Sequence, residues 1–398
     1  MGKKFSTALI VVGVVLVALA VVWWLVIAPM LVKLPSDVNT RMDFQGNLTL
    51  YVDPSTGQPL AAGQELKVPI TAVRTFVSLA DLYTSKVAVF EDKTIMTAAG
   101  QESPAQIYHY AMDRKTRKCV ESTENWAYDK SIVLNRVGYY GPLFPGGLKV
   151  GDTISVFSDD PAKVFDISVT DKTDNWNNLG ITVLKIDAKR ASAPYNQAVA
   201  QALLATGQGL PMQLTFAQLA AQLKAQTQGA LDLEALLNEL GTVASAEDMQ
   251  SLQTVTQQPI KLVYNQESGD VVYIEQKTGA IVGATLDRTT TMNVDTTGLV
   301  GALAIIAKYA TNPTIGPDVT KAVQAATQLA QAAPSKVFNQ NMSITSTSEG
   351  SLAQDAKGKI PLLNLADLWI PLIIVVVGGL LLILGAIALG MKSRKTAA

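Results

Sequence analysis

Two long apolar runs, one at each end of the chain, constrain its fold most. Residues 8–31 contain no charged side chain, and residues 368–391 form a second run of the same kind. At 1.5 Å of rise per residue, a helix over either run is long enough to cross the hydrocarbon core of a bilayer, which is about 30 Å thick. The sequence therefore predicts two transmembrane helices, with short tails at residues 1–7 and 392–398.

A cleaved signal peptide is the alternative interpretation of the first run. Ala18-Leu19-Ala20 matches a small-x-small cleavage site. The apolar run continues through Ile27, whereas the apolar region of a signal peptide is about 7–15 residues long. We therefore expect an uncleaved membrane anchor.

The charged residues are segregated between the ends and the middle of the chain. Lys3 and Lys4 precede the first run, and residues 392–395 hold three more basic side chains. All 33 acidic residues and 26 of the 32 basic residues lie in residues 34–367. Because basic residues are retained on the cytoplasmic side of a membrane, we expect both termini in the cytoplasm and residues 34–367 outside.

The central segment has the composition of β-structure. Short runs rich in β-branched and aromatic residues alternate with turn-forming residues. Lys277-Thr278-Gly279 predicts a hairpin turn between two of these runs. The predicted strands cover residues 47–52, 66–74, 86–90, 106–110, 153–157, 164–169, 181–186, 260–264, 271–275, 280–286 and 342–345.

Two helical insertions interrupt the predicted strands. Residues 194–252 and 297–333 repeat apolar side chains at the i, i+3, i+4, i+7 spacing of a helix face. The predicted fold class is therefore α+β: a β-rich extracytoplasmic domain with helical insertions, flanked by N- and C-terminal transmembrane helices.

The first insertion has few charges for a surface segment. Only four charged residues lie between Pro194 and Leu240, while leucine, alanine and glutamine are abundant. Either the leucine-rich faces pack on the β-domain, or they line a lipid-sized cavity or contact a membrane or a partner. The second interpretation gives the candidate hydrophobic ligand-binding residues Phe216, Leu219, Leu223, Leu233, Leu236 and Leu237.

Catalytic motifs are missing from the sequence. It contains no G-x-S-x-G, P-loop, H-E-x-x-H or G-x-G-x-x-G pattern, and it has a single histidine, His109, and a single cysteine, Cys119. We expect His109 to be structural, and Cys119 to be either buried or a thiol of lowered pKa. Asp159-Asp160 before Pro161 is predicted to be a solvated turn. The sequence thus predicts no enzyme and no catalytic residue.

One oxygen-rich cluster has the side chains that Ca²⁺ prefers. Its spacing does not match an EF-hand loop, and such clusters commonly cap turns. We therefore predict no metal and no cofactor, and the net charge of −1 favours no nucleic-acid partner. The cluster consists of Asp171, Asp174, Asn175, Asn177 and Asn178.

Several short motifs resemble a known family. They are Ile27-Ala28-Pro29, Leu34-Pro35-Ser36-Asp37, Asp113-Arg114-Lys115-Thr116, Gly146-Gly147-Leu148 and Thr278-Gly279-Ala280-Ile281-Val282. They resemble an actinobacterial family of two-pass envelope proteins of unknown function, often labelled porin PorA-like. The architecture is also similar to the class B scavenger receptors, which bind and pass lipids, although one cysteine excludes their disulfides. Neither resemblance assigns a role to a residue.

These observations favour a two-pass cell-envelope membrane protein whose outer domain binds or passes lipid or another hydrophobic ligand. The alternative is a structural or scaffolding subunit of an envelope complex, followed by a porin-like protein or an ectoenzyme. Two apolar helices do not by themselves support pore formation. The expected partners are the lipid bilayer, a lipid ligand and other envelope proteins.

Overall fold

The computed structural model describes most of the chain. It covers residues 3–27, 33–53, 60–61, 63–128, 130, 132–205, 211–227, 229–331 and 333–395. The predicted tail at residues 1–7, the first run at residues 28–31 and the last residues of the C-terminal tail lie partly or wholly outside these ranges.

Within the described residues, the strands join into one 14-stranded sheet in which all neighbours are antiparallel. The first seven are β1 (Asn39–Leu50), β2 (Leu66–Ser78), β3 (Val87–Ala98), β4 (Gln101–Glu102), β5 (Gln106–Asp113), β6 (Trp126–Ala127) and β7 (Ile132–Val133). The others are β8 (Thr153–Ser158), β9 (Lys163–Thr173), β10 (Val183–Pro194), β11 (Gln213–Leu214), β12 (Ile260–Glu275), β13 (Ile281–Val294) and β14 (Ser335–Ile344).

The sheet curls so that β8, at one edge, comes close to β5, near the other edge. The strand order is β7-β6-β5-β3-β2-β1-β14-β13-β12-β10-β9-β8, with β4 paired to β3 and β11 to β12. Tyr140 pairs with Val156 of β8 and also with Lys118, and the neighbouring Cys119 pairs with Met112 of β5. These bridges connect β8 to β5, so the main strands enclose a barrel.

The helices fall into three groups. The first is α1 (Lys3–Val22), which one π-helical turn, Trp23–Ile27, extends. The insertions form α2 (Gln197–Ala205), α3 (Phe216–Gln226), α4 (Leu233–Val243), α5 (Ala246–Thr256), α6 (Val300–Ala307) and α7 (Gly316–Gln331). The last group is α8 (Ser346–Asn364), a π-helical turn at Leu365–Trp369 and α9 (Ile370–Lys395), which follow one another without a break.

Of the described helices, α1 with its π-helical extension contains one segment that is long and apolar enough to cross a membrane, Ala8–Val26. In α9 the apolar segment Ile370–Leu384 is shorter. The membrane association expected from the first run is therefore supported, and the second span is taken up below as a proposal.

The helices α1 and α9 pack side by side in antiparallel directions. The indole Nε1 of Trp23 donates to the carbonyl oxygen of Ala366 at 3.0 Å. Ten residues earlier on α1, a Cβ added to Gly13 would lie 2.7 Å from the carbonyl oxygen of Gly378, so only glycine allows this close approach. Gly13 and Gly378 thus lie at the contact between the two helices.

Both apolar helices leave the barrel at the same end, which we call the base. Leu34 exchanges two hydrogen bonds with Arg114, whose backbone oxygen accepts at 2.9 Å and whose Nε donates at 3.0 Å. On the other side of the base, Lys277 Nζ donates to Asn364 Oδ1 at 2.5 Å, where α8 ends. Because β12 and β13 meet at the base, their other ends, which carry both helical insertions, lie at the opposite end.

The helical insertions form a cap at that distal end with its own apolar core. The buried residues of this cap cluster come from α3–α7 and their connections, and Leu240, Leu252, Ile315 and Val319 are almost fully enclosed. The cap is therefore held together by helix-to-helix packing of the faces that the sequence predicted to be apolar.

A candidate ligand cavity inside the barrel

A cavity of about 570 Å³ lies between the strands of the barrel, within the range of about 300–1,000 Å³ typical of small-molecule sites. Side chains from ten strands line it. Successive side chains of a strand point to opposite faces, so every second residue along each strand faces the cavity. On β1 and β2, for example, these are Met42, Phe44, Ala72 and Arg74.

One wall of the cavity is apolar. Met42, Phe44 and Ala72 face Ala284 and Met342 from the neighbouring strands, and these five side chains are buried in one cluster. This wall offers an apolar surface to a ligand, and alanine at two of its positions leaves part of the space unfilled.

A band of charged side chains crosses the same cavity. Arg74 on β2 forms a bidentate ion pair with Asp92 on β3, with Nε–Oδ1 and Nη2–Oδ2 distances of 2.8 and 2.5 Å. Both side chains line the cavity, and the Asp92 side chain is almost fully buried. Such a pair is stable inside a protein only because each charge has its partner.

A second group in the band joins β10, β12 and β13. Arg190 Nη2 and Arg288 Nη2 both contact Asp270 Oδ2, at 3.0 and 3.1 Å. Burial and the nearby Arg288 guanidinium lower the pKa of Arg190. Arg190 also donates to Ser158 Oγ, and Asp160 lies close enough to attract both arginines.

A third group lies where β8 ends. Arg136, which is fully buried, donates from Nε to Asp159 Oδ1 at 2.6 Å and from Nη1 to the His109 carbonyl at 2.5 Å. Tyr110 OH donates to Asp159 Oδ2 at 2.5 Å. Burial raises the pKa of Asp159, and the Arg136 charge opposes that rise.

Tyrosine hydroxyls continue the polar band. Tyr108 OH lies 2.8 Å from Tyr128 OH and donates to Asp160 Oδ1 at 3.2 Å. Gln266 Nε2 donates to Tyr195 OH at 2.8 Å. Burial raises the pKa of Tyr108 well above its ordinary value, so its hydroxyl remains a donor at neutral pH.

The cavity is therefore amphipathic. Three arginines and four aspartates line it beside the apolar wall, and a fourth arginine, Arg136, is buried behind the lining and pairs with Asp159. An arrangement of this kind suits a ligand with a long apolar part and a compact polar group that accepts hydrogen bonds from guanidinium and phenol groups. The charged residues are Arg74, Arg136, Arg190, Arg288, Asp92, Asp159, Asp160 and Asp270.

The six candidate ligand residues from the sequence come together in the cap instead. Leu219, Leu223 and Leu236 are buried in the cap cluster, and Phe216, Leu233 and Leu237 pack against it. None of the six is among the described residues that line the cavity. That they handle a ligand remains a prediction.

His109 lies on the outer face of the barrel wall. Its Nε2 is 3.3 Å from Glu91 Oε2, its Nδ1 is 3.5 Å from Glu124 Oε2, and its ring stacks on Trp126 at 3.7 Å. Its chain neighbours on β5, Tyr108 and Tyr110, point inward to the cavity. The histidine thus packs on the opposite side of the sheet from the cavity.

Cys119 is almost fully buried, and burial raises its pKa to about 12. The alternative of a thiol with a lowered pKa is therefore wrong. A thiol in this environment stays protonated and unreactive at neutral pH.

The oxygen-rich cluster at residues 171–178 forms the turn between β9 and β10. Asn175 Oδ1 accepts from the Gly180 backbone at 2.8 Å, and Asp174 Oδ1 accepts from Thr182 Oγ1 at 2.9 Å. Asn175, like two other asparagines of the cluster, has the left-handed conformation that asparagine tolerates. The oxygens are thus used within the turn, and the part of the chain that the structure describes holds no group of three acidic, histidine or cysteine residues placed for a metal.

The prediction that Asp159 and Asp160 form a solvated turn is right about the turn and wrong about the solvation. They do lie in the turn after β8, but both line the cavity, and the Asp159 carboxylate is paired with Arg136. Proline after them made a surface turn the simplest interpretation of the sequence. Arg136, which makes burial possible, is 23 residues away in the chain.

The charged band explains where strand prediction failed. Predicted strands ended at Phe90, Ile186 and Leu286, just before Asp92, Arg190 and Arg288, and the single strand β12 was divided around Asp270. A charged residue inside a strand looks like its end when an apolar interior is assumed. The missed signal was the period of two, which continues through these residues.

Fold and cavity together define a membrane-associated β-barrel domain with an internal amphipathic chamber. The family model described as Porin PorA matches residues 5–145, which include the first apolar helix and strands β1–β7. This match, over less than half of the chain, supports the PorA-like resemblance and indicates a membrane or cell-envelope protein. No match to a curated protein was found.

Proposed function

We propose that this chain is a two-pass envelope protein whose extracytoplasmic barrel binds an amphiphilic ligand, such as a lipid, without catalysing a reaction. The observation that carries the proposal is the cavity of about 570 Å³ inside the barrel, with an apolar wall beside a charged band. Charges in a protein interior are costly unless they are paired. Even a paired charge is costly to remove from water, so the placement of this band around a cavity favours a role in ligand binding over a purely structural one.

The pairing of the two apolar helices supports a second span. Gly13 and Gly378 allow α1 and α9 to approach closely, and most side chains elsewhere on these helices are exposed, as lipid-facing residues are. With basic residues beyond both runs, we propose that both termini are cytoplasmic.

Cysteine labelling in intact cells tests this topology. An impermeant maleimide is expected to modify Gln258→Cys, at an exposed position of the cap, and to spare Ser393→Cys. Wild-type protein is the control, since Cys119 is buried. The reverse pattern, or a mature N-terminus near residue 21, contradicts the two-pass proposal.

A pore through the barrel is the weaker candidate, although the matched family is described as a porin. A barrel that crosses a bilayer presents an apolar outer band. Here the outward-facing positions of β3 and β10 include Glu91, Lys93, Lys185 and Asp187. We therefore place the barrel in the aqueous phase beside the membrane, as a chamber.

Native mass spectrometry of the full chain, purified in mild detergent, tests ligand binding. We expect co-purified amphiphile in the wild type and its loss in Ala284→Trp, which fills the cavity at its apolar wall. Ala246→Trp, at an exposed position on the cap, is the matched control and is expected to retain the ligand. If the wild type carries no amphiphile, or if Ala284→Trp folds and retains it, the binding proposal fails and a scaffolding role becomes the better one.

A further inference from the structure

The base of the barrel carries an unusual set of basic side chains. Lys33 follows the first apolar run, Lys86 lies between β2 and β3, Arg114 and Lys115 follow β5, and Lys277 lies between β12 and β13. We call these five residues the basic collar. They are distant in sequence, and only the antiparallel topology brings them to one end of the barrel.

Contacts fix the collar next to the points where the chain enters the apolar helices. Lys33 Nζ donates to the Ser85 carbonyl at 3.4 Å, and Arg114 bonds to Leu34. On the other side, Lys277 reaches Asn364, the last residue of α8 before the π-helical turn and α9. The collar thus lies at the level at which both helices leave the domain.

Among the side chains that the structure describes, no carboxylate lies within 4 Å of the charged group of any collar residue. The nearby Asp113 carboxylate is engaged by the Lys115 and Thr116 backbone amides at 3.0 and 2.7 Å. Acidic residues also lie at this end: Asp37 and Asp81 are exposed in the adjoining segments, and the β9–β10 turn holds Asp171 and Asp174, of which Asp174 pairs with Lys172 at 3.2 Å. The five collar cations are therefore left without a carboxylate partner among the described side chains.

The opposite end of the domain has the opposite charge. Between residues 211 and 259, Lys224 is the only basic residue, against five acidic ones. Strand β12 alone has 16 residues, which at about 3.3 Å per residue places the cap about 50 Å from the base. This part of the cap is therefore acidic, whereas the basic collar lies at the end of the barrel beside the apolar helices.

We propose that the basic collar is a docking surface for the headgroups of anionic phospholipids in the adjacent leaflet. Each basic residue near an anionic membrane surface strengthens binding about fivefold, and the attraction decays within a Debye length of about 10 Å at 0.1 M salt. The collar selects anionic lipids around the two helices and holds the barrel close to the bilayer. It is separate from the cavity, and its existence requires only that the helices be in the membrane.

The test is tryptophan quenching in reconstituted vesicles. Trp23, Trp24 and Trp369 lie at the ends of the apolar helices beside the collar, so brominated lipids that gather there quench them. The full chain is reconstituted with brominated phosphatidylglycerol competing against phosphatidylcholine, and then with the labels reversed. We expect phosphatidylglycerol to be preferred about tenfold or more at 0.1 M salt, and the preference to disappear at 1 M salt, where the Debye length is about 3 Å.

Charge-removing variants assign the preference to the collar. Lys86→Gln/Lys115→Gln/Lys277→Gln, which keeps Lys33 and Arg114, is expected to reduce the preference by about fivefold or more. The matched control, Lys67→Gln/Lys163→Gln/Lys261→Gln, removes three exposed lysines from the distal half of the barrel and is expected to keep it. Circular dichroism confirms that both variants fold.

Two results would overturn the proposal that the collar binds anionic lipids. One is the absence of a wild-type preference for phosphatidylglycerol, and the other is an unchanged preference in the folded collar variant. Failure of the membrane proposal looks different, since neither brominated lipid then quenches the tryptophans. Failure of the cavity proposal is also distinct, because a lipid held inside the barrel resists 1 M salt and is lost in Ala284→Trp.

Discussion

The cap and the barrel interior are built on opposite principles. In the cap, apolar faces of five helices meet and fill the space between them, with Leu240 and Val319 fully enclosed. In the barrel, side chains leave a cavity open and surround it with paired charges such as Arg74–Asp92. A ligand site on the leucine-rich helices was one of two interpretations of the sequence, whereas the cavity lies among the strands.

This difference follows from how helices and strands satisfy their backbone hydrogen bonds and bury their apolar surface. A helix satisfies its own backbone hydrogen bonds, so its apolar stripe is free to pack against another helix until no space remains. A closed barrel has an interior whose width is set by strand number and tilt, so its side chains need not fill it. Apolar residues in a regular pattern therefore indicate packing, and charged residues at inward positions indicate where a ligand has room.

The largest effect is expected from breaking the buried ion pair at Arg136. Arg136→Met leaves the Asp159 carboxylate buried with only Tyr110 as a partner. Loss of one member of a buried pair typically destabilises by about 3–5 kcal/mol. Thermal unfolding of the purified full chain, followed by circular dichroism, measures the effect.

An exposed pair is the control for that variant. Arg41 and Asp43 lie 2.9 Å apart, with 64% and 41% of their side chains exposed. Arg41→Met is expected to change the free energy of unfolding by about 0–1 kcal/mol. If the two variants changed the free energy of unfolding equally, the loss of an ion-pair partner would cost no more inside the barrel than on the surface. That result would contradict the description of the charged band as buried and paired.

Truncation of a buried side chain in the cap is expected to have the next largest effect on stability. Leu236→Ala removes a buried side chain from the cap cluster, which should destabilise by about 2–5 kcal/mol because the packed helices collapse only partly around the gap. Leu286→Ala, at the edge of the barrel cavity, should cost only about 1–2 kcal/mol, since part of that side chain already faces open space.

Bound amphiphile, measured on the same two variants, separates packing from ligand binding. Leu236→Ala should retain the wild-type amount of ligand if the leucines are core. A stably folded Leu236→Ala or Leu219→Asp protein that has lost its lipid would restore the helix faces as the ligand site.

Acid should affect the two regions with opposite sign. Hydrogen bonds from Lys308 and Tyr309 lower the pKa of Asp248 in the cap, so its stabilising contribution is present above its ordinary pKa of 3.8 and is lost as the pH falls through its folded-state value. Burial raises the pKa of Asp159, so its contribution is full below 3.8 and is lost as the pH rises through its folded-state value.

Melting temperatures between pH 7 and pH 3.5 test these signs. Asp248→Asn should lose less stability on acidification than the wild type, because a carboxylate that must be protonated has been removed. Asp159→Asn should lose more stability on acidification than the wild type, because the variant lacks the carboxyl group whose protonation stabilises the folded state. Identical acid slopes in the two variants would argue against the difference between cap and barrel.

The sequence was sufficient for the parts of the fold that follow from local pattern. Both apolar runs, the strand-rich middle and the two helical insertions could be placed because their periodicity is a local property. Closure of the barrel could not, since it depends on single bridges such as Tyr140–Val156 between distant segments. The collar was likewise hidden, because Lys86 and Lys277 come to the same end of the barrel, beside the apolar helices, only through the topology.

The smallest effect on ligand binding is expected from the outer face of β5, and it offers the sharpest contrast within one strand. His109 packs outside against Glu91 and Trp126, whereas its neighbour Tyr110 faces the cavity and donates to Asp159. His109→Ala should lower the melting temperature through lost packing but leave the bound amphiphile unchanged.

Tyr110→Phe keeps the ring and removes only the hydroxyl, so it should reduce ligand occupancy with a stability cost of about 1–3 kcal/mol. Native mass spectrometry beside thermal unfolding separates the two outcomes. Loss of function in a stably folded His109→Ala protein would instead place chemistry on the outer wall and revive an enzymatic role.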